Sequence, residues 1–476
     1  MSDHILIPVP PFHVELAALD ALHPVHYSRR LLIFPRASLV QRDAQLAALK
    51  VGLKALGSQC AILGGIVTPL QPEEVNTTNS SPGWRTIRPD RGIELVVRDL
   101  SNALPSFEEL KASEFAVDRL PYDLLVPVPQ DIGNDQPFAA CKIQFSTIEG
   151  GSILTWAMSH CVADGSGNNE LMRVLSEATK LAQEQRARDV VLAQAATSTQ
   201  LGLERSLLRG ITSEIPFRLE DHPGYMADAP KQPPSHPFEA TSPEVHVLFY
   251  IPATRVAQLK ADATQPGAPP ISTHDAICAL IWRSLILIRS QRSTEARNLP
   301  ASTKTNLFMP SDARRHLNLP PSYIGNAVYQ LSVSLDLGTL VAPHTGLQEA
   351  ASAVRRAITA VTPALVRSVM AETNKKWIDW AFMGSYSSTG VAMGTDWTSS
   401  ALYQQDWGAA FAGTPARYRY PSEPGLNAIM PKLPDGAAEV IVSVMEGEME
   451  NLSSGECFGK YIERQPFQGS TQRTGE

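Results

Sequence analysis

The sequence predicts an α/β protein of two domains. Three observations carry that expectation. The chain has 476 residues, more than one hydrophobic core ordinarily organises. Strand-like and helix-like apolar periods alternate in both halves. A proline-rich stretch from Asp221 to Glu244 separates the halves, as a crossover linker would. The boundaries that follow are 1–205 for the first domain, 206–244 for the linker and 245–476 for the second.

In the first half, Leu31-Leu32-Ile33-Phe34 reads as a buried strand ended by Pro35. Ala44 to Leu56 repeats leucine at helical spacing and meets Gly57, a helix stop. Ile62 to Val67 is a candidate strand broken by Gly64-Gly65, and Gly92 to Val97 is another. Ser106 to Lys111 suggests a short helix. Cys141 to Thr147 alternates, Glu149-Gly150-Gly151 turns, and Ser152 to Met158 returns, which together predict a hairpin. From Asn168 to about Ala196 one apolar face (Leu171, Val174, Leu175, Ala178, Leu181) predicts a helix.

The second half opens with the strand pattern Val245 to Ile251 and a helix over Ala253–Ala263. Ser272 can N-cap the next helix, with Asp275 in its first turn, and that helix is apolar on most sides to Arg289. His274 reads as a first-turn structural residue. Thr305 to Met309 and Val328 to Leu335 read as strands, Gly346 to Val369 as helix interrupted at Pro363, and Val440 to Val444 as a late strand. The polar tail after Gly469 predicts disorder.

The hairpin delivers the stretch Ser159-His160-Cys161-Val162-Ala163-Asp164-Gly165-Ser166-Gly167. A strand, a glycine-rich turn and a helix expose one side chain at the turn. The one suited to proton transfer near neutral pH is His160. Of 11 histidines, only His160 has Asp four residues on. The bland alternative is a buried histidine beside a helix-capping Asp.

Composition excludes several classes. The formal net charge is −7 with no dense Lys/Arg stripe, which argues against nucleic acid as a partner. The five cysteines show no CxxC spacing, so free thiols in a reducing compartment are expected. Cys161 adjoins His160 but points elsewhere by sequence parity, which disfavours it as a nucleophile. The start Met1-Ser2-Asp3-His4 lacks signal-peptide character, and the apolar runs are too short to span a bilayer; a cytoplasmic protein without a membrane partner is expected. No metal motif, no GxGxxG after a strand and no GxSxG is present.

Several segments together resemble a family. His160-Cys-Val-Ala-Asp164-Gly165 is similar to the HxxxDG motif of the plant and fungal BAHD-type acyltransferases, which use acyl-coenzyme A. Asp312-Ala-Arg314, followed by Leu319-Pro-Pro-Ser-Tyr323-Ile-Gly325-Asn326, resembles that family's D-x-R-x-R…P-x-x-Y-x-G-N block. Gly394-Thr395-Asp396-Trp397 resembles its T-S-W segment, and Asp406-Trp407-Gly408 its D-F-G-W-G motif. Ser272-Thr273 to Trp282-Arg283 resembles the helix that begins the second domain. The match keeps its order over nearly the whole chain. Two departures stand out: His316 replaces the second Arg, and Ala409-Ala410 follows Gly408 where the family has a second aromatic and glycine. With the long linker, they bring the chain nearest the fungal branch of trichothecene and ergot-alkaloid acetyltransferases.

The resemblance implies two chloramphenicol-acetyltransferase-like domains, each a mixed sheet flanked by helices, with a channel at their interface. It implies acyl-coenzyme A (acetyl-coenzyme A foremost) as co-substrate, a small-molecule acceptor, no metal and a monomer. His160 becomes the general base. Asp164 turns from the pocket to pair with Arg314, and Gly165 supplies either a backbone conformation or a close approach that a Cβ would block. Thr395 and Trp397 become oxyanion donors by their place in the motif, with a core aromatic as the alternative for Trp397. Asp406 and Gly408 brace a loop. Ser272 and Thr273 at a helix start, and Lys304, are candidates for contact with coenzyme A, with simple N-capping as the alternative for Ser272. The acceptor expected from the family is a hydroxylated terpenoid, alkaloid or polyketide. Two rivals remain: a transferase using a carrier-protein thioester, as condensation domains do, and a non-catalytic metabolite-binding protein.

Overall fold

In a computed structural model, the described residues are all except 1, 23–25, 37, 72–83, 130–131, 133–135, 185–200, 227–243, 376–377, 381–388, 421–426, 464–466 and 471–476. Two large mixed sheets, flanked by helices, organise them. The six-stranded sheet runs Ser2–Ile7, Ile93–Asp99, Cys141–Ile148, Gly151–Ser159, Tyr27–Pro35, Arg417–Arg419. Its one parallel pair is Ile93–Asp99 with Cys141–Ile148. The seven-stranded sheet runs Val328–Asp336, Lys304–Asp312, Gly390–Asp396, Asn427–Ile429, Ala438–Met445, Glu244–Ile251, Phe467–Ser470.

The predicted hairpin forms between Cys141–Ile148 and Gly151–Ser159, with Gly150 in the left-handed region at φ 68°. Both strands are buried over nearly their whole length. Burial on both faces extends to polar side chains, with Gln144, Ser146, Ser152 and Thr155 all 0% exposed. The strand Arg417–Arg419 comes from the second half of the sequence yet pairs with Leu31–Ile33 at the edge of the first sheet. Trp407 and Phe411 follow it there, packing edge-on against Phe34 at ring separations of 5.6 and 4.9 Å. The late segment therefore ties the two halves together.

Several elements differ from expectation for identifiable reasons. The helix predicted over Ala44–Leu56 spans Leu39–Gln59, capped at its start by Ser38. Gly57 does not end it. A Cβ there would lie 3.0 Å from Val9 and 3.2 Å from Ile93, so the glycine answers close packing. Ile62 to Val67 divides into a 3-10 turn, Ala61–Gly64, and a strand, Gly65–Pro69. The helix after the His160 turn begins at Gly165, not Asn168, because Asp164 caps it; it ends at Leu181, and residues 185–196 lie outside the described residues. Pro363 starts a separate helix, Pro363–Thr373, at a first-turn position where its missing N–H costs nothing. Most of the proline-rich segment, 227–243, and the tail from 471 lie outside the described residues. Among the described residues no helix is long and apolar enough to cross a membrane.

Candidate active site

His160 stands in the turn between the strand Gly151–Ser159 and the helix Gly165–Leu181. Its orientation is set by Asn326. The Asn326 side-chain nitrogen donates to the Asp20 carboxylate at 2.8 Å and to the His160 carbonyl at 2.7 Å. Both partners only accept, which fixes the amide's orientation. The Asn326 oxygen then faces His160 Nδ1 at 3.1 Å. Nδ1 must carry the proton, so the basic lone pair lies on Nε2. Asp20 is fully buried and paired with Arg205 at 2.9 Å. Burial pushes the Asp20 carboxyl up, and the Arg205 charge and the Asn326 donors oppose it. Asn326 lies in the Tyr323-Ile-Gly325-Asn326 block, whose resemblance implies no task for it, and Asp20 lies in no motif. The available signal for Asp20 was an acid inside an otherwise apolar stretch, Leu16–Leu22.

Asp164 turns away from His160. One of its oxygens accepts from Arg314 at 2.8 Å and from the Gly167 N–H at 2.8 Å. The other accepts from Arg314 and from the Ala327 N–H, both at 2.9 Å. Arg314 spends its remaining donors on the carbonyls of Tyr323 and Gly325 and on Asp312. Burial works against the Arg314 charge, but the Asp164 and Asp312 carboxylates outweigh it and hold its pKa above the ordinary value. This bidentate, buried cluster clamps the His160 turn to residues 312–327 of the other half.

Gly165 and Gly167 have different tasks. A Cβ on Gly167 would lie 2.0 Å from the Ile324 carbonyl oxygen, so only glycine fits there. A Cβ on Gly165 would meet Trp397 Nε1 at 3.5 Å and Thr395 Oγ1 at 3.9 Å, ordinary contact distances. The expectation that the fold itself blocks a Cβ at Gly165 is corrected; the blocked position is Gly167. What Gly165 leaves open is a space faced by two donors. Thr395 reaches it through a register shift between Met393 and Thr395, the irregularity that re-aims side chains at strand ends. Trp397 is 4% exposed, and its indole N–H has no partner among the described residues.

The remaining candidates are placed as follows. Asp406 pairs with Lys180 at 2.8 Å and accepts from the Gly408 N–H, while Gly408, at φ 86°, lies against Gln183. They hold the Trp407 loop on the helix Gly165–Leu181. Ser272 caps the helix Thr273–Arg289 in a capping box with Asp275. Beside it His274 reaches Asp396 at 3.3 Å, and Cys278, Asp396 and Asp275 push its pKa up to about 11 against burial. Lys304 is not brought to the turn: it starts the strand that ends at Asp312, about 26 Å away at roughly 3.3 Å per residue, and pairs with Asp336 at 2.7 Å. Cys161 is 1% exposed, and burial pushes its thiol up to about 11, which removes it as a nucleophile.

A two-lobed α/β fold with a tautomer-locked histidine at the lobe junction, faced along the same turn by the Trp397 N–H and the Thr395 hydroxyl, is an arrangement suited to group transfer. The chain belongs to the Transferase family, whose model matches residues 10–456. This is the family to which the sequence motifs point. The chain is 26% identical over 97% of its length to the enoyl-CoA isomerase/hydratase claC of Penicillium crustosum, and spans about half (52%) of that protein. It is 26% identical to the O-acyltransferase pigD of Monascus ruber, over 92% of this chain and 95% of that one. The crystal structure of Fusarium sporotrichioides TRI101 complexed with coenzyme A and T-2 superposes with a TM-score of 0.76 at 22% identity, covering 95% of this chain and 99% of the other.

Proposed function

We propose that the chain moves an acyl group, acetyl foremost, from acyl-coenzyme A to a hydroxyl of an apolar secondary metabolite, acting as a monomer in the cytoplasm. His160 Nε2 takes the acceptor's proton as its oxygen attacks the thioester carbon. The carbonyl π pair moves to oxygen, where the Trp397 N–H and Thr395 hydroxyl can donate. Collapse breaks the C–S bond, and His160 returns the proton to the coenzyme A thiolate. Donor, acceptor and histidine share one ternary complex, so no acyl-enzyme is required. The observation that carries this reading is the orphaned Trp397 N–H beside Thr395 and above Gly165. A buried donor without an acceptor is costly, and a developing oxyanion removes that cost in the transition state. The neighbours add support: TRI101 was crystallised with coenzyme A, and pigD is named an O-acyltransferase.

The test is mass spectrometry of a fungal metabolite extract incubated with the protein and a panel of acyl-coenzyme A donors, with His160→Ala as control. A metabolite acylated only by the intact protein supports the reading. Turnover only with carrier-protein thioesters replaces the donor. No turnover by a folded protein with either donor leaves the binding-protein reading.

A further inference from the structure

Arg30 sits in the middle of the strand Tyr27–Pro35, fully buried. Its contacts are all neutral. It donates to the Gly165 carbonyl at 3.2 Å, to Asn169 Oδ1 at 2.6 Å and to Met172 Sδ at 3.5 Å. Its guanidinium lies 5.3 Å from the centre of the Trp397 ring. Its Nε has no hydrogen-bond partner among the described residues. The nearby carboxylate, Asp164, already has its oxygens taken by Arg314, Gly167 and Ala327.

This is a poor arrangement for stability. A buried guanidinium stays charged, and with no carboxylate bonded to it the neutral acceptors and the more distant Asp164 offset its desolvation only in part. It also lies across the first turn of the helix Gly165–Leu181, where the helix dipole repels a cation. Packing gives no reason for an arginine here. The chemistry on the other side of Trp397 does. A cation over an indole face draws electron density from the ring and makes its N–H a stronger donor. That N–H is the orphan facing the Gly165 space.

We propose that Arg30 is a positioning residue for the transfer reaction: seated on the Gly165 carbonyl and against the Trp397 face, it polarises the Trp397 N–H toward the oxyanion and supplies a positive field at the turn. The proposal rests on the acyl-transfer reading above. The negative charge that forms in the transition state is the counter-ion that the resting site lacks.

The test is steady-state thiol release from acetyl-coenzyme A, with the fungal metabolite extract as the acceptor, for wild type, Arg30→Met and Arg30→Lys. Circular dichroism and thermal melting confirm folding. The expected result is a loss of kcat in Arg30→Met on the order of tenfold, the kinetic equivalent of one desolvated cation–π contact, with KM for acetyl-coenzyme A within about twofold. Arg30→Lys recovers part of the loss. Combined with Trp397→Phe, the loss from Arg30→Met shrinks, because the residue acts through the indole. Should Arg30→Met not fold, Arg30→Lys and Arg30→Gln are compared in the same cycle. An Arg30→Met enzyme with unchanged kcat, or a loss fully additive with Trp397→Phe, overturns the role of Arg30 alone. A wild type no faster than His160→Ala overturns the acyl-transfer reading and this proposal with it.

Discussion

The Asn326 side-chain oxygen lies 3.1 Å from His160 Nδ1, and the same side chain is locked from behind by Asp20. The relationship crosses the two halves of the chain and acts on one proton. With Nδ1 held as a donor, Nε2 is a base whenever the ring is neutral. An amide does this without adding a charge that would raise the basicity of the imidazole, as a carboxylate does.

Asn326→Ala should therefore lower kcat by about ten- to a hundredfold, part of the roughly 10²–10⁴-fold that general-base catalysis supplies, with KM for acyl-coenzyme A nearly unchanged. Asp20 also loses one donor, the side-chain amide, while the backbone N–H of residue 326 stays, so the melting temperature falls. Steady-state kinetics corrected for the folded fraction measure the effect. A kcat within twofold of wild type means that the amide does not orient the base.

Gly165→Ala and Gly167→Ala should fail differently. The Gly165 methyl makes ordinary contacts with Trp397 and Thr395 and fills the space before them. That variant should fold normally and lose most of its activity. The Gly167 methyl would stand 2.0 Å from a backbone oxygen, which cannot move without shifting the 312–327 segment. That variant should lose stability first. Melting curves and activity on the same preparations decide it, and the reverse pattern refutes the division of tasks.

Asp164→Asn should destabilise the fold by about 3–5 kcal/mol, the usual cost of stranding one partner of a buried pair. The Arg314 and Asp164 side chains are each 5% exposed. Asparagine keeps the shape, but its NH₂ confronts donors from Arg314 and either Gly167 or Ala327. The more exposed pair Glu170–Arg173 on the same helix, with side chains 18% and 32% exposed, is the internal control. Glu170→Gln should cost less than about 1 kcal/mol. Urea denaturation gives both values, and similar losses at the two sites would contradict the argument.

The hairpin and the His160 turn were legible in local periodicity and spacing, whereas the Asp164–Arg314 pair was implied by the family resemblance alone. What stayed hidden is made by distant chain segments. Gly57 looked like a helix stop because local rules favour it, and the packing of Val9 and Ile93 overrides them. Asn326 and Asp20 gain meaning only when residues 306 apart in sequence meet. Arg30 did leave a trace: two arginines, Arg29 and Arg30, interrupt a strand whose other central residues are apolar. A charged side chain in a strand buried on both faces calls for a partner, and no local pattern names Trp397 as that partner. Gly165 was assigned the wrong steric reason because a glycine can be kept open for a substrate as well as for the fold.

His222 makes stability depend on pH away from the reaction. It is 1% exposed and bonds Tyr329 through Nδ1 at 3.0 Å and Ser368 through Nε2 at 2.9 Å. Burial holds its pKa below the ordinary 6.5, with Asp221 opposing. Above the unfolded pKa neither state binds the proton and the site contributes no penalty. As pH falls through about 6.5, the unfolded chain takes up a proton that the folded chain refuses, so stability drops. Urea midpoints at pH 7.5 and 5.5 should thus fall further for wild type than for His222→Gln, which cannot titrate. His222→Gln is less stable at pH 7.5, where it loses the imidazole's packing against Phe217. An equal pH response in the two proteins would show that His222 protonates alike in both states, against the burial seen here.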